Sequence, residues 1–513
     1  MMSNKIISYD LGTSGNKASI YDTDGNCIAS TFISYNTYYP KIGWHEQCPL
    51  DWWKAIIEST KKLLDLRVVD KKDIKCLAIS GHSLGAVPID KHGFLLRKTT
   101  PIWSDCRARQ EVRKLFEKID EKSWYMKTGN GFPSELYTIF KIMWYKCNEP
   151  DMYQQIYKVI GTKDYINYKL TDKINTDYSY ASGSGVYNLQ TWKYSNSLIK
   201  ASGIPREIFP DIVPSTQILG NLTKNASKML NLPKNVKVVC GGVDNSSMAV
   251  GAGNIAEGRV YTSLGSSAWI AVSSKKPILD FKTKPFVFAH VVPEMFTSAV
   301  SIFAAGSAYK WVRDNICKNL VTISEKENKE PFMLMDSFAE KSPIGSKGLL
   351  FNPSLAGGSS FEPSPHIRGG YFGIDFSHTQ ADLIRSALEG IAINLSVVRD
   401  ILEKHCKLSK EMLLVGGGSK SKLWMQILAD TYNSNIIKTN IGQEAGSLGA
   451  AAIAAVGAGF WKDFSKVDKI QQTREMAEPI LENVDKYREI KKIFKKASKY
   501  YADLGDKLHE LDI

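Results

Sequence analysis

The chain has no long hydrophobic run: nowhere in its 513 residues do apolar side chains continue for the roughly 20 positions that a bilayer-spanning helix needs. Its eight cysteines include no CxxC pair and its eight histidines no HExxH spacing, which excludes a disulfide framework and the common zinc sites. No GxGxxG opens a helix and no GK[ST] follows a glycine turn, so a dinucleotide-binding fingerprint and a Walker A loop are both missing. Met1-Met2-Ser3-Asn4-Lys5 leads into a strand without the apolar segment of a secretory signal, and a cytoplasmic protein is expected. The formal charge of +13 is dispersed along the chain and concentrated mainly near the C-terminus. A solvated surface and an anionic substrate explain that charge more simply than nucleic acid, so neither a nucleic-acid nor a membrane partner is expected.

What the chain does have is a glycine hairpin that occurs twice. Strand Lys5–Asp10 runs into Leu11-Gly12-Thr13-Ser14-Gly15 and on into Lys17–Tyr21; some 250 residues later Arg259–Ser263 runs into Leu264-Gly265-Ser266-Ser267 and on into Ala268–Val272. Both copies sit between apolar strand candidates, which points to two halves built on one plan and facing each other across a cleft. Between them, the strand Val236–Cys240 breaks at Gly241-Gly242-Val243 and delivers Asp244 and Asn245 to its end.

The rest alternates between strands and helices. Trp53, Ile56, Ile57, Thr60, Leu63 and Leu64 form one helical stripe behind Pro49, and Ile74–Ser80 is a short buried strand ending in Gly81-His82-Ser83-Leu84-Gly85. Ser246–Gly253 reads as a tightly packed helix between the halves. The second half repeats the strategy, with Gly306 ahead of a helix carrying Lys310, a strand breaking into Gly416-Gly417-Gly418-Ser419, and an alanine-rich helix after Glu444. The expected domains are residues 1–253 and 254–464, followed by a polar helical tail over 465–513.

Successive N–H groups of a glycine hairpin can converge on a phosphate without a helix dipole. Asp10, at a strand end, suits a Mg²⁺ ion, which prefers one or two carboxylates plus phosphate oxygens. Asp244 fits two roles: it can cap the helix that begins near Asn245, and it can accept the proton of a hydroxyl that attacks phosphorus, a proton that leaves late in a loose transition state.

At this level of detail the chain resembles the FGGY family of carbohydrate kinases. The resemblance runs from Asp10 to about Gly459 and rests on Asp10-Leu11-Gly12-Thr13, Gly43-Trp44-His45-Glu46-Gln47, Pro101–Arg107, Lys141–Trp144, Gly241–Asp244, Gly369–Ile374 with Ser386-Ala387-Leu388-Glu389, and Gly416–Ser419; the layout is closest to the xylulokinase-like members. It implies an α/β protein of two ribonuclease H-like, actin-like ATPase domains that close over a sugar and MgATP. Carried over by position, Asp244 is the catalytic base and, with Asp10, a metal-associated carboxylate. Gly12, Thr13, Ser14 and Lys17, Gly265 and Ser266, Gly306 and Lys310, and Gly417, Gly418 and Lys422 fall on the nucleotide side. The implied sugar side comprises His82, Ser83, Leu84, Asp105, Asp244 and Asn245.

One segment departs from the pattern. Xylulokinases carry glutamine-methionine-histidine between the two glycines where this chain has His82-Ser83-Leu84. On that ground His82 is expected to hydrogen-bond a sugar hydroxyl, and D-xylulose to be disfavoured against another ketopentose or short polyol. The alternative to a kinase is a non-catalytic actin-like nucleotide sensor, and a homodimer is left open.

Overall fold

The structure is a computed structural model that describes residues 4–511 apart from Phe132. Two seven-stranded sheets form its halves. In the first, Lys5–Leu11, Gly15–Asp22 and Cys27–Ser34 make an antiparallel meander, and Ile74–Gly81 and then Lys237–Val239 add on the other side of Lys5–Leu11 in parallel. The second sheet repeats this with the meander Val260–Leu264, Ala268–Ser274 and Phe296–Ile302, followed by the parallel strands Glu411–Val415 and Asn435–Thr439. The repeated plan expected from the hairpins is therefore present strand for strand.

Period-two alternation decides which side chains reach the cleft. Along the first strand, Ile7, Tyr9 and Leu11 enter the core beneath the helix Pro49–Asp65, whereas Ile6, Ser8 and Asp10 face the opposite side. That opposite side is covered by a helix from the far end of the chain. Ala445–Gly457 packs Leu448, Ala451 and Ala452 on Ile6, Cys76, Ala78 and Val239, and its Ser447 hydroxyl lies 3.0 Å from that of Ser8. The exchange is mutual, because the helix Asp244–Gly251 sets Ala249 against Tyr261 and Ala271 of the second sheet. The two helices meet through main chain: a Cβ on Gly449 would stand 1.8 Å from the Ser247 carbonyl oxygen, and one on Gly251 1.8 Å from that of Ala445.

The segment after Ser465 differs from the expected helical tail. Thr473–Ala477 is the edge strand of the second sheet, paired with Asn435–Thr439 and tied to it by the Lys438–Glu475 ion pair. Its charges are those of a protected sheet edge, which read as helix surface in sequence. Only then does the 30-residue helix Leu481–Glu510 begin, and it docks Tyr487 and Phe494 into the second core. None of the described helices is long and apolar enough to cross a membrane.

Candidate active site

The two carboxylates singled out by sequence come together at the strand ends of the first sheet. Gly242 and Val243 pair with Ser80 and Gly81, and Asp244 follows as the first residue of its helix. Gly241 makes this turn possible: its φ is +79°, and a Cβ would lie 2.0 Å from the Ile79 carbonyl oxygen. Asp244 is not the residue before the helix, a place that Val243 takes, but its Oδ1 accepts the Asn245 N–H at 2.8 Å. Its carboxylate keeps some surface open to the cleft while protein surrounds it, and burial, aided by the charge of Asp10, raises its pKa to about 7.

Asp10 accepts a hydrogen bond from Ser80 Oγ at 3.0 Å. Burial raises its pKa too, with Glu444 acting in the same direction and Ser80 and Lys17 against it. Gly446 leaves room for it, since a Cβ there would stand 2.4 Å from Asp10 Oδ2. Two neighbouring carboxylates that both resist ionisation form a donor set that a divalent cation would stabilise. Among the described residues no group of three or more His, Cys, Asp or Glu is arranged for a metal.

The first hairpin closes with the Gly12 N–H on the Gly15 carbonyl at 3.0 Å and is braced from outside by side chains. Tyr35 Oη donates to the Gly12 carbonyl, Gln47 Nε2 to that of Thr13 at 2.7 Å, and Trp103 Nε1 to Thr13 Oγ1 at 2.9 Å. Ser14 is exposed, and Lys17 is held by Glu444 from the other half of the chain. The second hairpin is one residue shorter, closing with the Gly265 N–H on the Ser267 carbonyl at 3.0 Å, and is braced mainly by backbone, with the Ser307 hydroxyl donating to the Ser266 carbonyl at 2.9 Å. The N–H groups of Ala305 and Ser307 donate to the Ser266 carbonyl at 2.9 and 3.0 Å, and that of Gly306 to Gly265 at 2.9 Å. Gly306 is required there, because a Cβ would stand 2.4 Å from the Gly265 oxygen; one on Gly418 would stand 2.3 Å from Leu264 Cδ2. Hairpin, helix start and triglycine turn thus form one wall with little side chain on it, and Gly417 has open space above it.

Residues 5–251 match the N-terminal domain of the FGGY family of carbohydrate kinases, and residues 260–458 match its C-terminal domain. The chain belongs to this family. It is a sugar phosphotransferase with the actin-like ATPase fold. It is 30% identical over 509 residues to the xylulose kinase of Staphylococcus epidermidis, covering 98% of this chain and 99% of that one. To the gluconokinase of Bacillus licheniformis it is 27% identical over 495 residues, covering 96% and 95%. The solved xylulose kinase of Rhodospirillum rubrum superposes with a TM-score of 0.88 at 26% identity, over 99% of this chain and 100% of the other.

On the sugar side of this kinase two expectations need correction. His82 has no exposed surface, and its ring stands edge-on to Trp52 with centroids 5.4 Å apart. Burial, aided by the charge of Lys141, depresses its pKa to about 3, and the neutral ring packs on Trp52 with no surface open to the cleft in this structure. Asp105 is also fully buried, and its carboxylate is already occupied: Arg107 donates from Nε and Nη2, both at 2.8 Å, and His45 N–H at 2.7 Å. It is an anchor for the loop that carries Trp103. Leu84 sits at φ +59° with its side chain in the notch left by Gly183. Ser83 is nearly buried, at 8% exposure, and Asn245 is half-buried.

Lys310 and Lys422 are exposed near the starts of helices Gly306–Asn315 and Lys422–Tyr432. Gln47, Trp103 and Glu444, which entered the sequence comparison only as motif letters or a helix start, are structural contacts of the first hairpin. Their signal in sequence is no more than a polar or aromatic residue inside a motif.

Proposed function

We propose that this kinase transfers the γ-phosphoryl group of ATP to a hydroxyl of a neutral ketopentose, with D-xylulose the first candidate and Asp244 the general base. The observation that carries the reading is the place of Asp244: a strand end on the first-domain wall, beside Asp10, where its charge also reaches Tyr261 on the central strand of the second sheet. A pure nucleotide sensor has no use for a second buried carboxylate at that junction.

Asp244 accepts the proton as the sugar hydroxyl attacks. Because its pKa is raised to about 7, it holds that proton better than an ordinary carboxylate while remaining ionised above neutrality. The two hairpins present N–H groups and hydroxyls to the phosphates, and Asp10 with Asp244 would hold Mg²⁺, which neutralises charge developing on the phosphoryl oxygens. Positioning supplies most of the rate in such a reaction, and the base adds on the order of 10²–10⁴-fold.

A neutral sugar is favoured over gluconate by the state of the nearby cations. Arg107 is paired with Asp105 and Glu46, Lys163 with Asp164 and Asp177, Lys17 with Glu444, and Lys141 is held by the Leu84 and Ile102 carbonyls at 2.8 and 2.7 Å. The sequence argument against D-xylulose, Leu84 in place of a polar partner, also loses force, because that side chain fills the notch left by Gly183. The test is ADP release with D-xylulose, D-ribulose, D-gluconate and glycerol. Turnover of a ketopentose supports the proposal; turnover of gluconate alone, or ATP use independent of any sugar, overturns it.

A further inference from the structure

A buried ionic cluster lies directly behind the proposed base. Lys163 bridges Asp164 at 2.5 Å and Asp177 at 3.0 Å, and all three side chains are at most 1% exposed. Buried ion pairs repay their desolvation poorly, so such a cluster is better explained by what it holds in place than by stability. Asp177 also accepts Ser215 Oγ at 2.7 Å and caps the single-turn helix Tyr178–Ala181 through the N–H groups of Ser179 and Tyr180.

This turn reaches both strand ends of the site. Ser179 Oγ donates to Asp177 and accepts the Val243 N–H at 2.9 Å, immediately before Asp244. The next residue reaches the sugar-side segment: Tyr180 Oη donates to the His82 carbonyl at 3.2 Å and accepts the N–H groups of Gly85 at 3.2 Å and Thr162 at 3.0 Å. One donor and two acceptor sites are thereby used up, so the phenol has a single orientation. Leu84, held at positive φ, lies between the two points that Tyr180 grips.

We propose that Ser179 and Tyr180 are positioning residues with divided duties, Ser179 fixing the strand end that carries the base and Tyr180 fixing the His82–Gly85 backbone, whose Ser83 reaches the site. This rests on the reading of Asp244 as base. Neither side chain touches the reacting atoms; each removes a degree of freedom from a strand end of the site, and a displacement of about 1 Å in a reacting group can cost 10²-fold in rate.

Single-atom deletions test it, with D-xylulose and ATP as substrates. Ser179→Ala should lower kcat about tenfold and keep KM for D-xylulose within twofold. Tyr180→Phe should raise KM for D-xylulose about tenfold and leave kcat and KM for ATP within twofold. Ser179→Cys, which keeps a weak acceptor, carries the first arm if the alanine variant does not fold. Equal changes in kcat and KM in both variants, tracking a loss of thermal stability, would reduce the pair to ordinary core residues. Asp244→Asn separates the failures: if it retains turnover, the base reading falls and this one with it, whereas an inactive Asp244→Asn beside an unaffected Ser179→Ala overturns only the positioning role.

Discussion

Both glycine hairpins close on a glycine N–H, but the first loop is one residue longer and the support differs. Around Gly12–Gly15 the side chains of Tyr35, Gln47 and Trp103, from elsewhere in the first domain, join the Tyr35 N–H; around Gly265–Ser267 the backbone N–H groups of Ala305, Gly306 and Ser307 predominate, joined by the Ser307 hydroxyl. The difference extends to the walls behind them. The first wall holds its chemistry in carboxylates kept rigid by buried polar side chains, and the second offers glycine-rich main chain with Gly265, Ser266 and Ser267 exposed. A duplicated fold has thus divided labour with a change of one residue in its turn: side-chain identity matters on the sugar side, and space for backbone matters on the nucleotide side.

The largest expected effect falls on the first wall. Asp244→Asn should lower kcat by roughly 10²-fold or more with both substrates still bound, measured by single turnover and by titration. The same change should raise the melting temperature most at pH 7 and above, less at pH 5 and least near pH 3. In the wild type the folded-state pKa lies above the unfolded value of about 4, so the cost of burying the carboxyl grows as pH rises from about 4 to about 7 and is constant above that. For the same reason log kcat/KM should climb with pH to near 7 and then level off; a flat profile from pH 5 to 8 would remove Asp244 as the titrating base.

Breaking the second wall requires adding atoms rather than deleting them. Gly306→Ala forces its Cβ against the Gly265 oxygen at 2.4 Å, and KM for ATP should rise roughly tenfold, about 1.4 kcal/mol, with KM for sugar little changed. Trp103→Phe removes one 2.9 Å hydrogen bond from the first hairpin and should cost about 1 kcal/mol, a fivefold effect on kcat/KM. Smallest is Ser266→Ala, expected to change KM for ATP about threefold or less, because the Ser266 carbonyl and not its hydroxyl anchors the hairpin to Ala305 and Ser307. If the serine proved more sensitive than Gly306, the contrast between side-chain and backbone walls would be wrong.

Much of this was legible in the chain because it is written locally. A carboxylate after a strand, a glycine at a turn and an apolar stripe on a helix each declare themselves within a few residues, so Asp10, Asp244, both hairpins and the helix behind Pro49 were recognisable. His82 and Asp105 were not. Whether an imidazole turns to the cleft or to Trp52, 30 residues earlier, is settled by packing, and Asp105 is neutralised by Arg107 and by the backbone of His45 folding back onto it. Tyr180 was equally hidden, since its three partners come from the strand end at His82–Gly85 and from Thr162. The strand Thr473–Ala477 carries Arg474 and Glu475 at a sheet edge, a pattern that looks the same as a solvated helix until its neighbour Asn435–Thr439 is in place.

The exchange of helices between the halves has a consequence for how the protein is made. The inner face of the first sheet, with Ile6, Cys76, Ala78 and Val239, is complete once Val243 has been synthesised, yet the helix that covers it ends at Gly457. At 5–20 residues per second the nascent chain carries that bare apolar face for about 10–40 s. During that interval the first half resembles a client for a chaperone more than a finished domain, and a chain terminated near Gly253 would remain in that state.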